Sequence, residues 1–489
     1  MKLKNILSLL RYVFTLFTFM LLSLSLCLGE QERFRRSPPY PEPYPEFSLP
    51  TIENHSLTNE LDLAVVRRQD SPIISLRLII LTGEGSSPDD FPGLATLTAR
   101  MLPKGTITLS ASDIEERIES IGGNLTVEIF PDYSIFTLSF LEEYLDEALM
   151  VLSEMILRPT FPRNEIANVQ RTMFYELASQ NMDPEFLARR VLFQILFENH
   201  PYKKIAFNQG VIKNLSRRNI VSFFSDFYRP NNAKLVLTGN LNLETASRKV
   251  SRYLSPWEKK DLPYSLVPPL DPKEKQKVCF ISLPKAKDAT IYLGNIILPI
   301  ASPDYFPFVV LNQVIGGTSN SRLFMDLRES KGYAYYAFSE VQFFESCGVF
   351  FIRAKVRSEV IGKALPEILK EIETVTKAQI PSQEIEQAKS YLIGNFPFNV
   401  DTIDKLSLKI SEIQAFDLGV SHWESYQENI MRITSEMVSR MGQKYSLNTP
   451  VIMIVGDPEI LNNMKEFDEI SVYSTDGVLQ YTISKGDME

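Results

Sequence analysis

FPRNEI, residues 161–166, has a near copy in IPSQEI, residues 380–385, and the spacing between the two decides how the chain is read. Glu165 and Glu384 stand 219 positions apart. Ala148-Leu149 recurs as Ala364-Leu365 at 216, and KLVLTG (234–239) recurs in kind as VIMIVG (451–456) at 217. A nearly constant offset over three separated landmarks indicates an internal duplication. Around these landmarks, apolar runs of strand character, Ile73–Leu81 and Asn124–Phe140, alternate with longer amphipathic stretches. Leu141, Tyr144, Leu145, Ala148, Leu149, Leu152, Met155 and Ile156 form an apolar stripe at helical spacing. Its counterpart is Ile361, Ala364, Leu365, Ile368, Ile372 and Val375. Ser112-x-x-Glu115 reads as a capping box that starts a helix ending at Gly122-Gly123. Helices grouped after strands predict an α+β fold of two homologous domains, each a mostly antiparallel sheet covered by helices.

The flanks bound these halves. Residues 1–28 read as a signal peptide or lipoprotein leader, with Lys2, Lys4 and Arg11 ahead of an uncharged apolar run from Tyr12 to Leu28. That run is short of the ~20 residues a membrane span needs. The expected destination is the periplasm or envelope. Cys27 follows a segment that resembles a lipoprotein box, but Leu26 is large where that box has a small residue, so acylation and simple cleavage both stay open. Residues 29–46 form a proline-rich spacer, 47–257 an N-terminal domain, 258–275 a linker and 276–489 a C-terminal domain.

Composition narrows the function. The 489 residues carry a formal net charge of -9, which disfavours nucleic acid as a partner. Three cysteines without C-x-x-C spacing exclude a thiolate zinc site. Three histidines, His55, His200 and His422, lie too far apart to pair on one helical face.

In the second half, residues 320–331 read as a helix after the Gly316-Gly317-Thr318 turn, with Gly332 as a left-handed stop and a strand from Tyr333 to Phe344. Arg328 falls in the last helical turn and Tyr335 in the strand, placed so that a guanidinium and a phenol could converge on one carbonyl oxygen. Spacing alone equally allows Arg328 a surface ion pair with Asp326 or Glu329, and Tyr335 a packing role.

Several fragments, in this order, resemble the pitrilysin or insulinase-like peptidases: Gly93-Leu94-Ala95 with residues 101–106 (MLPKGT), His200-Pro201-Tyr202, residues 228–233 (YRPNNA), Ser321-Arg322-Leu323-Phe324, and Leu327-Arg328-Glu329 with Gly332-Tyr333-Ala334-Tyr335. The resemblance spans roughly residues 47–461 and implies two α+β domains forming half of a clam shell. The family's inverted zinc motif, H-x-x-E-H, falls where this chain has Thr96, Ala99 and Arg100. Glu176 falls near the family's third ligand position. One carboxylate does not hold a catalytic zinc, which uses three protein ligands, so no metal and no catalytic residue are expected in this chain. Glu176 then reads as a solvated carboxylate or an ion-pair partner of Arg100, and His200 as a histidine packed beside Tyr202. Arg328 and Tyr335 look like the family's substrate-binding arginine and tyrosine. The resemblance therefore implies a non-catalytic, substrate-binding subunit of an exported heteromeric peptidase. Zinc would be held by a homologous partner subunit in a heterodimer, the substrates would be short or unfolded peptides, and the N-terminus could anchor to a membrane. The alternative is a catalytically dead scaffold of the cell envelope.

Overall fold

The computed structural model describes residues 50–206, 209–263, 270, 276–464 and 467–485. The leader, Cys27, the whole of the proline-rich spacer and most of the linker lie outside the described residues. Among the described residues, no helix is long and apolar enough to cross a membrane.

Two sheets organise the chain. The first contains β1 (Ile52–Ser56), β2 (Asp62–Arg67), β3 (Ile73–Ile80), β4 (Asn124–Ile129), β5 (Ser134–Leu141) and β6 (Ala233–Gly239), in the order β1-β2-β6-β3-β5-β4. The second contains β7 (Lys277–Ser282), β8 (Asp288–Ile297), β9 (Ala334–Phe343), β10 (Gly348–Arg357), β11 (Val451–Gly456), β12 (Glu469–Tyr473) and β13 (Leu479–Ser484), in the order β13-β12-β7-β11-β8-β10-β9. Five strands superimpose in topology: β2-β6-β3-β5-β4 repeats as β7-β11-β8-β10-β9, with the β2–β6 and β7–β11 pairs both parallel and the rest antiparallel. The mostly antiparallel, duplicated α+β fold is thus as expected, and the KLVLTG and VIMIVG runs are the equivalent central strands β6 and β11.

Three local expectations need correction. Asn124–Phe140 is a hairpin rather than one strand, because Pro131 cannot donate to a ladder and the chain turns between Phe130 N and the carbonyl of Tyr133, 2.8 Å apart. The helix of the capping box is Ala111–Ser120, and its box is formed by Ser110 and Asp113, not by Ser112 and Glu115. The apolar stripe belongs to the helix Leu145–Leu157, whereas Leu141 ends β5 and Tyr144 closes a 3-10 turn, and both are exposed.

The helices used below are α1 (Leu94–Met101), α2 (Arg163–Gln180), α3 (Pro184–Leu196), α4 (Tyr305–Ile315), α5 (Ser382–Asn395) and α6 (Ile403–Ala415). α2 and α5 begin directly after Pro162 and Pro381, so the FPRNEI and IPSQEI copies are equivalent helix starts. Each half keeps its own helices on one face of its sheet and receives a helix of the other half on the opposite face. α3, from the first half, packs on β8 and β11; α6, from the second, packs on β3 and β6. The exchange is pseudo-symmetric down to single residues. Glu185 and Asp404, 219 positions apart in the first turns of these helices, both face the opposite sheet. Tyr292 Oη donates to Glu185 at 3.3 Å and Tyr336 donates to the same carboxylate, while Arg77 Nη2 donates to Asp404 O at 3.1 Å and Ser139 Oγ to its carboxylate at 3.0 Å. Separating the halves would expose both seams, so the two copies form one unit over Phe47–Glu489.

Candidate functional site

The degenerate motif lies on α1, a helix entered through Gly93 in left-handed backbone (φ 89°). The start of this helix is capped from a distance. Glu84, only 4% exposed, accepts from Gly93 N, from Thr96 N at 3.1 Å and from Thr96 Oγ1 at 2.7 Å. Ser87 Oγ accepts from Ala95 N at 3.0 Å. A carboxylate at a helix N-terminus is favoured by the unpaired N–H groups and the dipole. Burial nevertheless pushes the Glu84 pKa up, and the hydrogen bonds from Thr96, Gly93 and Ser87 only partly oppose it.

The rest of the motif is equally committed. Ala99 is fully buried in the core of the first half. Arg100 Nη1 lies 2.6 Å from Glu176 Oε2, joining α1 to α2 across a partly exposed gap. Where the family places two imidazoles and a carboxylate, this chain therefore has a hydroxyl donating to Glu84, a methyl group and a guanidinium that ties up the remaining acid. These residues do not fit a zinc ion: a cation occupies the position of a second ligand and an apolar side chain that of the general base. Among the described residues, no group of three His, Cys, Asp or Glu side chains converges as a metal-ligand set.

His200 is packed, not poised. It is 3% exposed, its Nδ1 accepts from Tyr202 N at 3.2 Å, and its ring meets that of Tyr202 edge-on at 4.4 Å. Burial, with some help from Lys204, pushes its pKa down to about 4. His422, among Tyr305, Phe306 and Trp423, is likewise pushed down to about 4, mainly by burial. Neighbouring Tyr202 belongs to an unforeseen polar junction between the halves. Its hydroxyl donates to Asp132 in the β4–β5 turn, Ser346 Oγ contacts it at 3.1 Å, and Glu345 N donates to Asp132 Oδ2 at 3.0 Å. Burial holds Asp132 up at about 6.

Arg328 and Tyr335 occupy the predicted helix–stop–strand unit, with a local difference. After one α-turn at Arg322–Phe324, Met325–Ser330 is wound as a π-helix, and Gly332 (φ 63°) then reverses the chain into β9. π-wound turns re-aim side chains and recur at functional sites. Arg328 is exposed, and its Nη1 donates to Ala334 O at 3.2 Å. Tyr335, 50% exposed, stands on the edge strand β9 and faces an open cleft of about 720 Å³. Among the described residues, no hydrogen bond or ring contact joins the two side chains. They share the start of β9 without meeting.

Comparison with known proteins agrees with this architecture. The family model described as "Insulinase (Peptidase family M16)" matches residues 63–210, and the one described as "Peptidase M16 inactive domain" matches residues 214–392. A Helicobacter pylori protein described as "Non-peptidase homolog YmxG" is 26% identical over 361 residues, covering 71% of this chain and 81% of its own. The "Uncharacterized zinc protease YmxG" of Bacillus subtilis is 23% identical over 352 residues, covering 72% and 85%. Among solved structures, a peptidase M16 inactive domain from Pseudomonas fluorescens matches with a TM-score of 0.78 at 22% identity, covering 83% of this chain and 98% of that one.

Proposed function

Because this chain belongs to the insulinase (M16) peptidase family and lacks its zinc motif, we propose that it is the substrate-binding, non-catalytic subunit of an exported heteromeric peptidase, the zinc being held by a homologous partner. The observation that carries this reading is the contrast between the two halves. Each motif position on α1 is committed to a structural contact, whereas Tyr335 stands exposed and without a hydrogen-bond or ring partner among the described residues, and Arg328 uses one of its five N–H donors on Ala334. In this role Arg328 and Tyr335 hold the peptide backbone and support negative charge on its carbonyl oxygen near the bond that the partner cuts. The outer edge of β4, which pairs with no further strand among the described residues and whose residues alternate between exposed and half-buried, offers a register for an extended peptide. The apolar leader supports export, with Cys27 a candidate for lipid attachment.

A scaffold without substrate binding is the second reading, and the hydrogen bond from Arg328 to Ala334 favours it, since that bond also serves to fix the start of β9. Turnover separates the two. The chain is mixed with a family member carrying H-x-x-E-H that co-purifies with it, and cleavage of a quenched fluorescent peptide is followed. Arg328→Ala and Tyr335→Phe are expected to lower kcat/KM about 100-fold or more, as loss of one transition-state donor does, with assembly by gel filtration unchanged. Unchanged turnover in both variants would remove the proposed role.

A further inference from the structure

The cleft beside Tyr335 contains a turn built against local preference. Leu283-Pro284-Lys285-Ala286 closes with Ala286 N donating to Leu283 O at 3.2 Å, and Lys285 has φ 69°. Proline at the second position and positive φ at the third follow the type II turn, in which the third residue is normally glycine. A lysine there strains the backbone, and such strain persists only where its surroundings hold it. Asp457 holds it: its Oδ2 accepts from Lys285 N at 2.6 Å and its Oδ1 from Glu459 N at 2.9 Å.

The same cleft is lined by Lys287, Asp288, Arg357 and Glu359. Asp288 lies 3.6 Å from Lys355, and Glu359 lies 3.3 Å from Arg357. With Asp457 engaged by backbone N–H groups, Glu459 is the one lining carboxylate left over, against two lysines, Lys285 and Lys287, that make no ion pair among the described residues.

Resting on the substrate-binding role of Tyr335, we infer that this cleft is a specificity site in which Lys285 and Lys287 receive a carboxylate of the bound peptide. The carboxylate comes from the chain terminus or from an acidic side chain; the chemistry recognised is the same. Tyr335 at the cleft wall engages the peptide, and the two ammonium groups select those whose next segment is anionic. The strained turn fixes where the first ammonium stands.

The full chain is tested by fluorescence anisotropy with one extended peptide in three forms: free C-terminus without acidic residues, the same peptide amidated, and the amidated peptide carrying two glutamates. At low salt, one or both carboxylate-bearing forms bind about fivefold more tightly than the neutral amide, the scale of exposed ion pairs. The preference fades at high salt and is lost in Lys285→Gly/Lys287→Ala. Which acidic form gains identifies the source of the carboxylate. Lys285→Gly relieves the turn, so its melting temperature stays level or rises and misfolding does not explain the loss. Equal binding of all three forms, or a preference that survives in the double variant, overturns the cleft assignment alone. No binding of any form overturns the substrate-binding reading and the cleft with it.

Discussion

At the scale of single residues, the loss of the metal motif left no gap. Thr96 completes a cap on Glu84, Ala99 fills the core and Arg100 neutralises Glu176. Both partners of the last pair are substantially exposed, so it positions more than it stabilises. Thr96, Ala99 and Arg100 could be read from the sequence because the motif is local. Glu84 could not: it caps a helix whose first residue is ten positions away, and only the folded loop brings it there. Asp132 escaped notice for the same reason, its partners being 70 and 213 positions off. It also sets a pH dependence. Its pKa is raised from 3.8 to about 6, so the native state holds this proton more tightly than the unfolded chain. The resulting stability is fully present below 3.8 and is lost as pH rises through about 6, by about 1–3 kcal/mol. Asp132→Asn is expected to flatten the pH dependence of the urea midpoint between pH 4 and 6.5; an unchanged profile would contradict the assignment.

At the scale of elements, the duplication makes the two exchanged helices comparable, and they differ in chemistry. Beyond Glu185, the seam of α3 is mainly apolar, with Leu187, Ala188, Val191 and Leu192 against Ile281, Val349, Met453 and Val455. The seam of α6 is mixed: Leu406 and Ile410 belong to one core cluster with Ile79 and Val236, but Ser75, Thr137, Thr238 and Ser407 are buried there with hydroxyls that find no protein partner among the described residues, and Arg77 Nε is likewise unpaired. Ser75 pairs across the strands with Ser139 and Thr238, so this is a continuous row over β5, β3 and β6. Thr238→Val and Ser407→Ala keep the side-chain shape while removing a buried hydroxyl. Each is expected to leave stability unchanged or raise it by up to about 1 kcal/mol in urea unfolding, and a loss above about 1 kcal/mol would show that the seam is satisfied in solution. The halves and their central strands were legible because apolar periodicity and the offset are properties of the chain itself. The exchange of helices was not, since α3 and α6 each carry an apolar stripe that fits either sheet. The hairpin at Pro131 was hidden by an almost unbroken apolar and β-branched run on both sides. The π-wound turn carrying Arg328 has no sequence signature distinct from an ordinary helix end.

At the scale of the whole molecule, duplication has given two sheets that share a five-strand topology and present different side-chain chemistry. The first half keeps the family's motif helix without the motif's ligands, and the second presents an exposed tyrosine over a cleft with two lysines that make no ion pair among the described residues. On the reading proposed above, such a chain contributes binding and leaves bond cleavage to another subunit. The direct test is the zinc content of the purified full chain, dialysed against micromolar zinc and then against metal-free buffer, and measured by mass spectrometry. The account predicts well under one tenth of an equivalent per chain, and one tightly held equivalent would contradict it.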